Sequence, residues 1–457
     1  VLSVLGFHTH CFGFSGGFVG VDVFFAISGF LICSIILREL ANGSFSIAKF
    51  YERRCKRILP ALIVVLFFCM AVGACLLSPI EEKHLGKGVM ATVFSVSNVQ
   101  FYLPGNYFDR SGALNPLLMT WSLAVEEQFY LVFPLLLMLL HRRARKHIFH
   151  ALLACCALSL LVSVYAEFRH PEFNFNLPFT RAWELGAGTL LAVWQSRTRS
   201  PRKPSGRGLH IVGATGLPLI LTCVVFYPPA VRFPGYEAIP PVLGTLLLLL
   251  APGSLANRLL GLRPFRVIGQ ISYSLYLWHW PLLSFAAIVS AGEFSPAVRA
   301  MLMLLAATAA TLSYFLIETP FRTQRSATTR IVLLAYATAI AAVFFCGGLL
   351  LKTNGLAFRS PSLAIIENDM AIERPHHCIS LAHSGPLLTP KCFPAPTSWD
   401  SAALLGDSHA EALADTLGRA VSRSGRQLLV LASFSCPFVR GYTRSLADVL
   451  QFAEACA

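Results

Sequence analysis

SGGFVGVDVFFAISGFLI, residues 15–32, is apolar along nearly its whole length, yet it carries one carboxylate, Asp22, with His8 fourteen residues before it. The run is long enough for most of a membrane crossing, which takes about 20 apolar residues. A carboxylate at the centre of such a span costs roughly 3 kcal/mol on insertion scales, so its presence points to a function and to a partner. The run decides the fold class as well, because the rest of the chain repeats its composition.

Of 457 residues, 55% are hydrophobic and only 13% are charged, whereas soluble domains carry about 25% charged residues. Eleven apolar runs are expected to cross a membrane, at about residues 1–12, 18–37, 57–78, 118–140, 148–166, 179–195, 210–227, 238–251, 268–290, 297–317 and 331–351. The weaker run 88–103 reads as re-entrant or surface-lying. A net charge of +14 would suggest nucleic acid in a soluble protein, but the basic residues fall in alternate loops, about 21 on one side (HRRARK at 141–146, RTRSPRK at 197–203) and about five on the other. The positive-inside rule then places the N-terminus and the basic loops in the cytoplasm and the tail outside. The opening at Val1, within a hydrophobic segment and without Met, suggests that the sequence lacks its first residues.

The expected fold is therefore an all-α polytopic membrane protein of ten core helices plus an eleventh that links to a tail. The boundaries read as 1–325 for the membrane domain, 326–351 for the linking helix, 352–398 for a linker rich in Pro, Ser, His and Asn, and 399–457 for the start of an α/β domain. In that last segment the strand SAALL (401–405) runs into GDSHAEALADTLGRAVS at helical spacing, and the strand QLLVLAS follows. The segment ends about fifty residues after its first turn, so the domain is expected to be incomplete. Cys378, Cys392, Cys436 and Cys456 of the tail could pair in any of three ways or not at all. No CxxC or Cys/His spacing suggests a metal site.

Five stretches carry candidate chemistry. His8 reads as a general base or as a satisfied core histidine, and Asp22 as its support, as a substitute proton acceptor, or as a clamp between helices. In FYERRCKRILPAL (50–62), Arg53, Arg54, Lys56 and Arg57 form an anion site suited to phosphate, or else a positive-inside signal that meets lipid headgroups. In TWSLAVEEQFYLVFPLL, Ser122, Glu126 and Tyr130 share one helix face. Glu126 and Glu127 point about 100° apart, so one of them is expected to be solvated or interfacial. Arg181 and Glu184 stand at i, i+3, the spacing of an ion pair. His279 lies between two Trp in YSLYLWHWPLL, and Glu318 and Arg322 end a span in IETPFR. The interfacial aromatic belt accounts for the tryptophans but not for that histidine. Ser408 of GDSH sits at a strand-to-helix turn, where it is either a nucleophile backed by free N–H groups or an ordinary N-cap; no downstream histidine is identifiable as its base.

GGFVGVDVFFAISGFLI, FYERRCKRILPAL, NPLLMTWSLAVEEQFYLVFPLL, ISYSLYLWHWPLL and IETPFR, in this order, resemble the acyltransferase-3 family of bacterial membrane O-acyltransferases. GDSH resembles the first block of the SGNH-type domain that some members carry after an eleventh span. The resemblance implies an inner-membrane enzyme that moves an acyl group, most simply acetyl from acetyl-CoA, to a glycan or lipid-linked saccharide such as O-antigen, exopolysaccharide or peptidoglycan. It implies no metal and no nucleic-acid partner. His8, Asp22, Glu126 and Ser408 would be the catalytic set, Arg53, Arg54 and Arg57 would hold acyl-CoA, and Trp121, Ser122, Glu127 and His279 would meet substrate. The alternatives are an acyl conduit that leaves transfer to the SGNH domain, and a transporter or flippase.

Overall fold

The computed structural model describes residues 1–361 except 12, 103–113, 198–206, 230, 291–293 and 324–328, and beyond these only 391–393, 401–406, 417 and 427–432. Two units, Val1–Ser360 and Pro361–Ala457, are compact in themselves. The first is helical. In chain order it contains α1 (Leu2–His8), α2 (Gly20–Ala41), α3 (Ile47–Leu76), α4 (Pro79–Val93), α5 (Ser97–Tyr102), α6 (Thr120–Arg143), α7 (Ile148–Arg169) and α8 (Pro171–Asn176). There follow α9 (Pro178–Arg197), α10 (Arg207–Phe226), α11 (Ile239–Leu250), α12 (Leu255–Leu260), α13 (Arg263–Val289), α14 (Pro296–Ser313), α15 (Thr319–Thr323) and α16 (Thr329–Lys352).

Among the described residues six helical segments are long and apolar enough to cross a membrane: Gly17–Ala41, Ile47–Leu76, Thr120–Arg143, Arg145–Arg169, Pro296–Thr323 and Thr329–Lys352. The other expected spans fall short for two reasons. The apolar parts of α10 and α11, Ile211–Phe226 and Gly235–Leu250, are shorter helices, and α1 has only seven residues. Meanwhile α9 and α13 are long but place Arg181, Glu184 and Thr189, or Ser274, His279 and Ser284, in the protein interior, which lowers their mean hydropathy. The run 88–103 is not one helix. It is divided between α4 and α5 by a turn in which Ser95 adopts a positive φ of 55°.

The largest core cluster joins α2, α3, α4, α6 and α9 through side chains such as Ile32, Ile36, Phe50, Leu66, Leu85 and Leu137, all buried to within 1% of full enclosure. In lipid the hydrophobic effect does not drive helices together, so close approach of small residues has to supply the contact. The α2–α9 seam shows this. A Cβ on Gly29 would collide with the Leu185 carbonyl oxygen, and one on Gly188 with the Ala26 carbonyl oxygen. This seam brings the N-terminal ends of α2 and α9, and the charges they carry, together.

In the second unit β2 (Ser401–Gly406) pairs in parallel with β3 (Gln427–Ala432), as strands on either side of an expected helix should. A further strand, β1 (Lys391–Phe393), pairs antiparallel to β3, giving the order β1-β3-β2. β1 falls inside the stretch 352–398 that reads as linker in the sequence, because three residues are too few to give an alternating pattern. The GDSH turn beyond Gly406, with Ser408, lies outside the described residues, as does any pairing of the tail cysteines.

Candidate active site

Helix α6 carries the backbone of the site. Its Ser122, Glu126 and Tyr130, spaced by four, lie on one stripe that covers about 12 Å at 1.5 Å per residue. At the lower end of the stripe the Tyr130 and Ser28 hydroxyls converge on Glu126 Oε1, and Tyr130 Oη lies 3.2 Å from Ser28 Oγ. A buried carboxylate needs such donors. The Arg54 guanidinium covers the Tyr130 ring at 5.7 Å and the Phe50 ring at 5.8 Å. The charges of both Arg54 and Arg57 act on Glu126 and Glu127. Arg57 and Arg322 act on Glu318, which accepts from Ser274 of α13 and sits in a π-helical turn, Tyr314–Glu318. Such turns are frequent at functional sites.

At the upper end Ser122 Oγ lies 2.7 Å from the Tyr276 hydroxyl. One turn further along α13, His279 is fully buried, and its Nδ1 is 2.6 Å from the Tyr276 carbonyl oxygen. A carbonyl only accepts, so Nδ1 carries the proton and a neutral ring presents its lone pair at Nε2. That atom has no hydrogen-bond partner among the described residues. The His8 ring lies 5.7 Å from the His279 ring and 4.8 Å from that of Trp280. The indole of Trp280 donates to the Asn115 carbonyl at 2.8 Å, so this tryptophan is an interior wall of the site and not part of an interfacial belt. Arg299 of α14 reaches the carbonyl of Thr9, the residue after His8, at 3.3 Å.

A second polar centre lies on the α2–α9 seam. Arg181 Nη1 contacts Asp22 Oδ1 at 2.8 Å and Glu184 Oε1 at 3.0 Å, and all three side chains are within 1% of full burial. The rings of Trp121, Phe175 and Phe233 surround the guanidinium at 5.0–5.5 Å.

These positions correct several expectations. Asp22 does not support His8: its charge partner is Arg181, 159 residues away, because the face of α2 that carries Asp22 packs on α9. Trp121 belongs with Arg181 and not with Ser122, its neighbour in sequence. Of the basic cluster, Arg53 turns outward to Glu39 at 2.9 Å and Lys56 pairs with Glu52 at 2.8 Å, while Arg54 lies over the ring at the foot of the stripe. Neither adjacent glutamate is simply solvated, since Glu126 is 4% exposed and Glu127 Oε1 is buried without a partner among the described residues. Ser28, Tyr276 and Arg299 were not singled out from sequence, and Trp280 was read there as part of an interfacial belt. Ser28 and Tyr276 left a signal as hydroxyls within apolar runs, three residues before His279 in the case of Tyr276, whereas Arg299 left none.

The Acyltransferase domain family model matches residues 2–318, more than half of the chain, and the model of the SGNH domain fused to AT3 domains matches 378–457. The chain is 34% identical over 342 residues to the putative peptidoglycan O-acetyltransferase YrhL of Bacillus subtilis, covering 71% of this chain and 53% of that protein. It is 32% identical to the O-acetyltransferase OatA of Staphylococcus aureus, covering 70% and 55%. To the peptidoglycan O-acetyltransferase OatA of Listeria monocytogenes it is also 32% identical, covering 70% and 54%. The chain thus spans about half the length of these relatives. No solved structure matches it. The ordered motifs and the match over residues 2–318 agree: the chain belongs to the acyltransferase-3 family, with an SGNH domain joined behind its helices.

Proposed function

We propose that this chain transfers an acyl group, acetyl in the simplest case, from cytoplasmic acyl-CoA to a hydroxyl of an exported glycan of the peptidoglycan or surface-polysaccharide class. The observation that supports this reading is the polar stripe itself. It runs from Arg54 and Tyr130 through Glu126 and Ser122 to Tyr276, His279 and His8. Donor phosphates meet Arg54 and Arg57 through charge-assisted hydrogen bonds, with Arg53 at the rim. The flexible pantetheine arm then lies along the stripe and presents the thioester near the histidines. His8 takes the proton of the attacking hydroxyl as the C–O bond forms, the C–S bond breaks, and the proton passes to the departing thiolate. His279 holds the pair of rings in place and offers its Nε2 lone pair to the same proton. In the full-length protein Ser408 would complete the transfer to a sugar hydroxyl outside.

The test is His8→Ala in a full-length protein, with glycan O-acetyl measured by mass spectrometry after mild base release. Loss of O-acetyl is expected, and undiminished acetylation overturns the reading. Removing residues 352 onward separates transfer in the membrane unit from a conduit role, because a conduit alone acetylates no acceptor.

A further inference from the structure

A small cavity lies beside the upper end of the stripe among the described residues. Its volume is about 10 Å3, and it lies between α3, the segment leading into α6, and α13, with Leu62, Val65, Leu117, Thr120, Tyr276 and Pro281 among its walls. Its origin is readable in the sequence. Pro281 inside α13 cannot donate to the Leu277 carbonyl, and its ring crowds the preceding turn where it lines the cavity. The walls are apolar, Met119 among them, apart from two hydroxyl-bearing residues. Thr120 spends its hydroxyl on the Leu117 carbonyl at 2.7 Å, and Tyr276 is bonded to Ser122. A cavity of this size holds one water-sized or methyl-sized group. With its polar atoms already engaged it offers a water too few partners, so an alkyl group suits it better.

We infer that this cavity receives the methyl group of the transferred acyl chain and restricts the protein to two-carbon acyl donors. The inference rests on the acyl-transfer reading above and specifies its donor. The cavity flanks the Ser122–Tyr276 pair, so a thioester lying along the stripe would have its carbonyl beside those hydroxyls and its methyl in the apolar pocket. Leu62 and Val65, on α3, form the wall that a third carbon would strike. One methylene in a fitted apolar pocket discriminates by about 10- to 200-fold.

The test uses membranes containing the full chain, supplied with equal amounts of acetyl-CoA and propionyl-CoA, with acetyl and propionyl esters on the glycan counted by mass spectrometry. The wild type is expected to transfer acetyl at least about tenfold over propionyl. Val65→Ala and Leu62→Ala are expected to raise the propionyl share about tenfold, and Val65→Leu, which fills the space, to lower acetyl transfer. A wild type that takes both donors equally, or enlarged variants that acetylate normally with an unchanged ratio, overturns the pocket assignment while leaving acyl transfer intact. Absence of transfer from either donor in the wild type overturns the acyl-CoA reading itself, and with it this inference.

Discussion

Two carboxylates share one guanidinium in the Asp22–Arg181–Glu184 group, and this count predicts an unusual mutational pattern. All three groups are within 1% of full burial, so the fully ionised group holds one negative charge more than it can neutralise in a medium where charges are costly. Either single amide substitution, Asp22→Asn or Glu184→Gln, removes the excess charge and leaves one ion pair. Each should change stability by no more than about 1 kcal/mol, near the net worth of one hydrogen bond. The double variant strips Arg181 of both carboxylates, so its charge stays buried with the Phe175 carbonyl, 3.2 Å from Nε, and the surrounding rings, and breaking a buried pair in this way costs roughly 3–5 kcal/mol. The coupling between the two sites should therefore be at least about 1–3 kcal/mol, outside the additivity within about 0.5 kcal/mol expected of independent positions. Thermal unfolding in detergent can be followed by a thiol-reactive dye that reports Cys33 and Cys69, both fully buried, after every other cysteine is replaced by Ser. The double variant should melt on the order of 5–10 °C below either single variant. A double variant that loses only the sum of the two single losses would refute the charge count.

Two further perturbations are worth measuring. Glu82, at the first turn of α4 and outside the candidate spans, is fully buried without a hydrogen-bond partner among the described residues; burial raises its carboxyl from 4.5 to about 7, against the opposing charge of Arg359. A raised carboxyl means the folded state keeps its proton when the unfolded chain has lost it, so stability falls as pH climbs from 4.5 to about 7. The shift corresponds to a penalty of about 3 kcal/mol at pH 8. Glu82→Gln should match the wild type at pH 4 and exceed it at pH 8; equal melting at both values would remove the argument. Gly188→Ala forces a methyl onto the Ala26 carbonyl oxygen and should cost at least about 1–3 kcal/mol, read by the same dye assay, whereas an unaltered melt would mean the α2–α9 seam is looser than described.

Legibility followed distance along the chain. Ser122, Glu126 and Tyr130, and likewise Arg181 and Glu184, are pairs or triplets within one helix, where the 3.6-residue period fixes who shares a face. The Asp22–Arg181 contact joins two helices far apart in sequence, and periodicity assigns a face without naming the neighbour it meets. Sequence proximity favours His8, fourteen residues from Asp22, whereas the partner lies 159 residues away. A usable signal existed nonetheless. Asp22, Ala26 and Gly29 recur at i, i+4 and i+7 on α2, and Arg181, Leu185 and Gly188 recur at the same spacing on α9. Each helix thus has a charge at one end of a stripe that closes on a glycine, as two helices meeting backbone to backbone require. The pairing of β1 with β3 was less legible, because three residues carry no period.

The two polar centres are connected through α6, and the connection explains why a buried ion group lies beside a site it does not enter. Trp121 and Ser122 are adjacent in sequence, so they point about 100° apart. Trp121 packs against Arg181 at 5.2 Å on one side, while Ser122 reaches Tyr276 at 2.7 Å on the other. A rotation of α6 large enough to release Trp121 from the guanidinium would also carry Ser122, Glu126 and Tyr130 off their partners, since all three lie on one rigid stripe. The Asp22–Arg181–Glu184 group, by holding Arg181 in place from α2, therefore fixes the rotation of α6 and with it the register of the whole stripe. Under the proposed reaction Asp22 would act through Arg181 and Trp121 without touching the acyl group, so a costly charge in an apolar helix would matter to chemistry it does not perform.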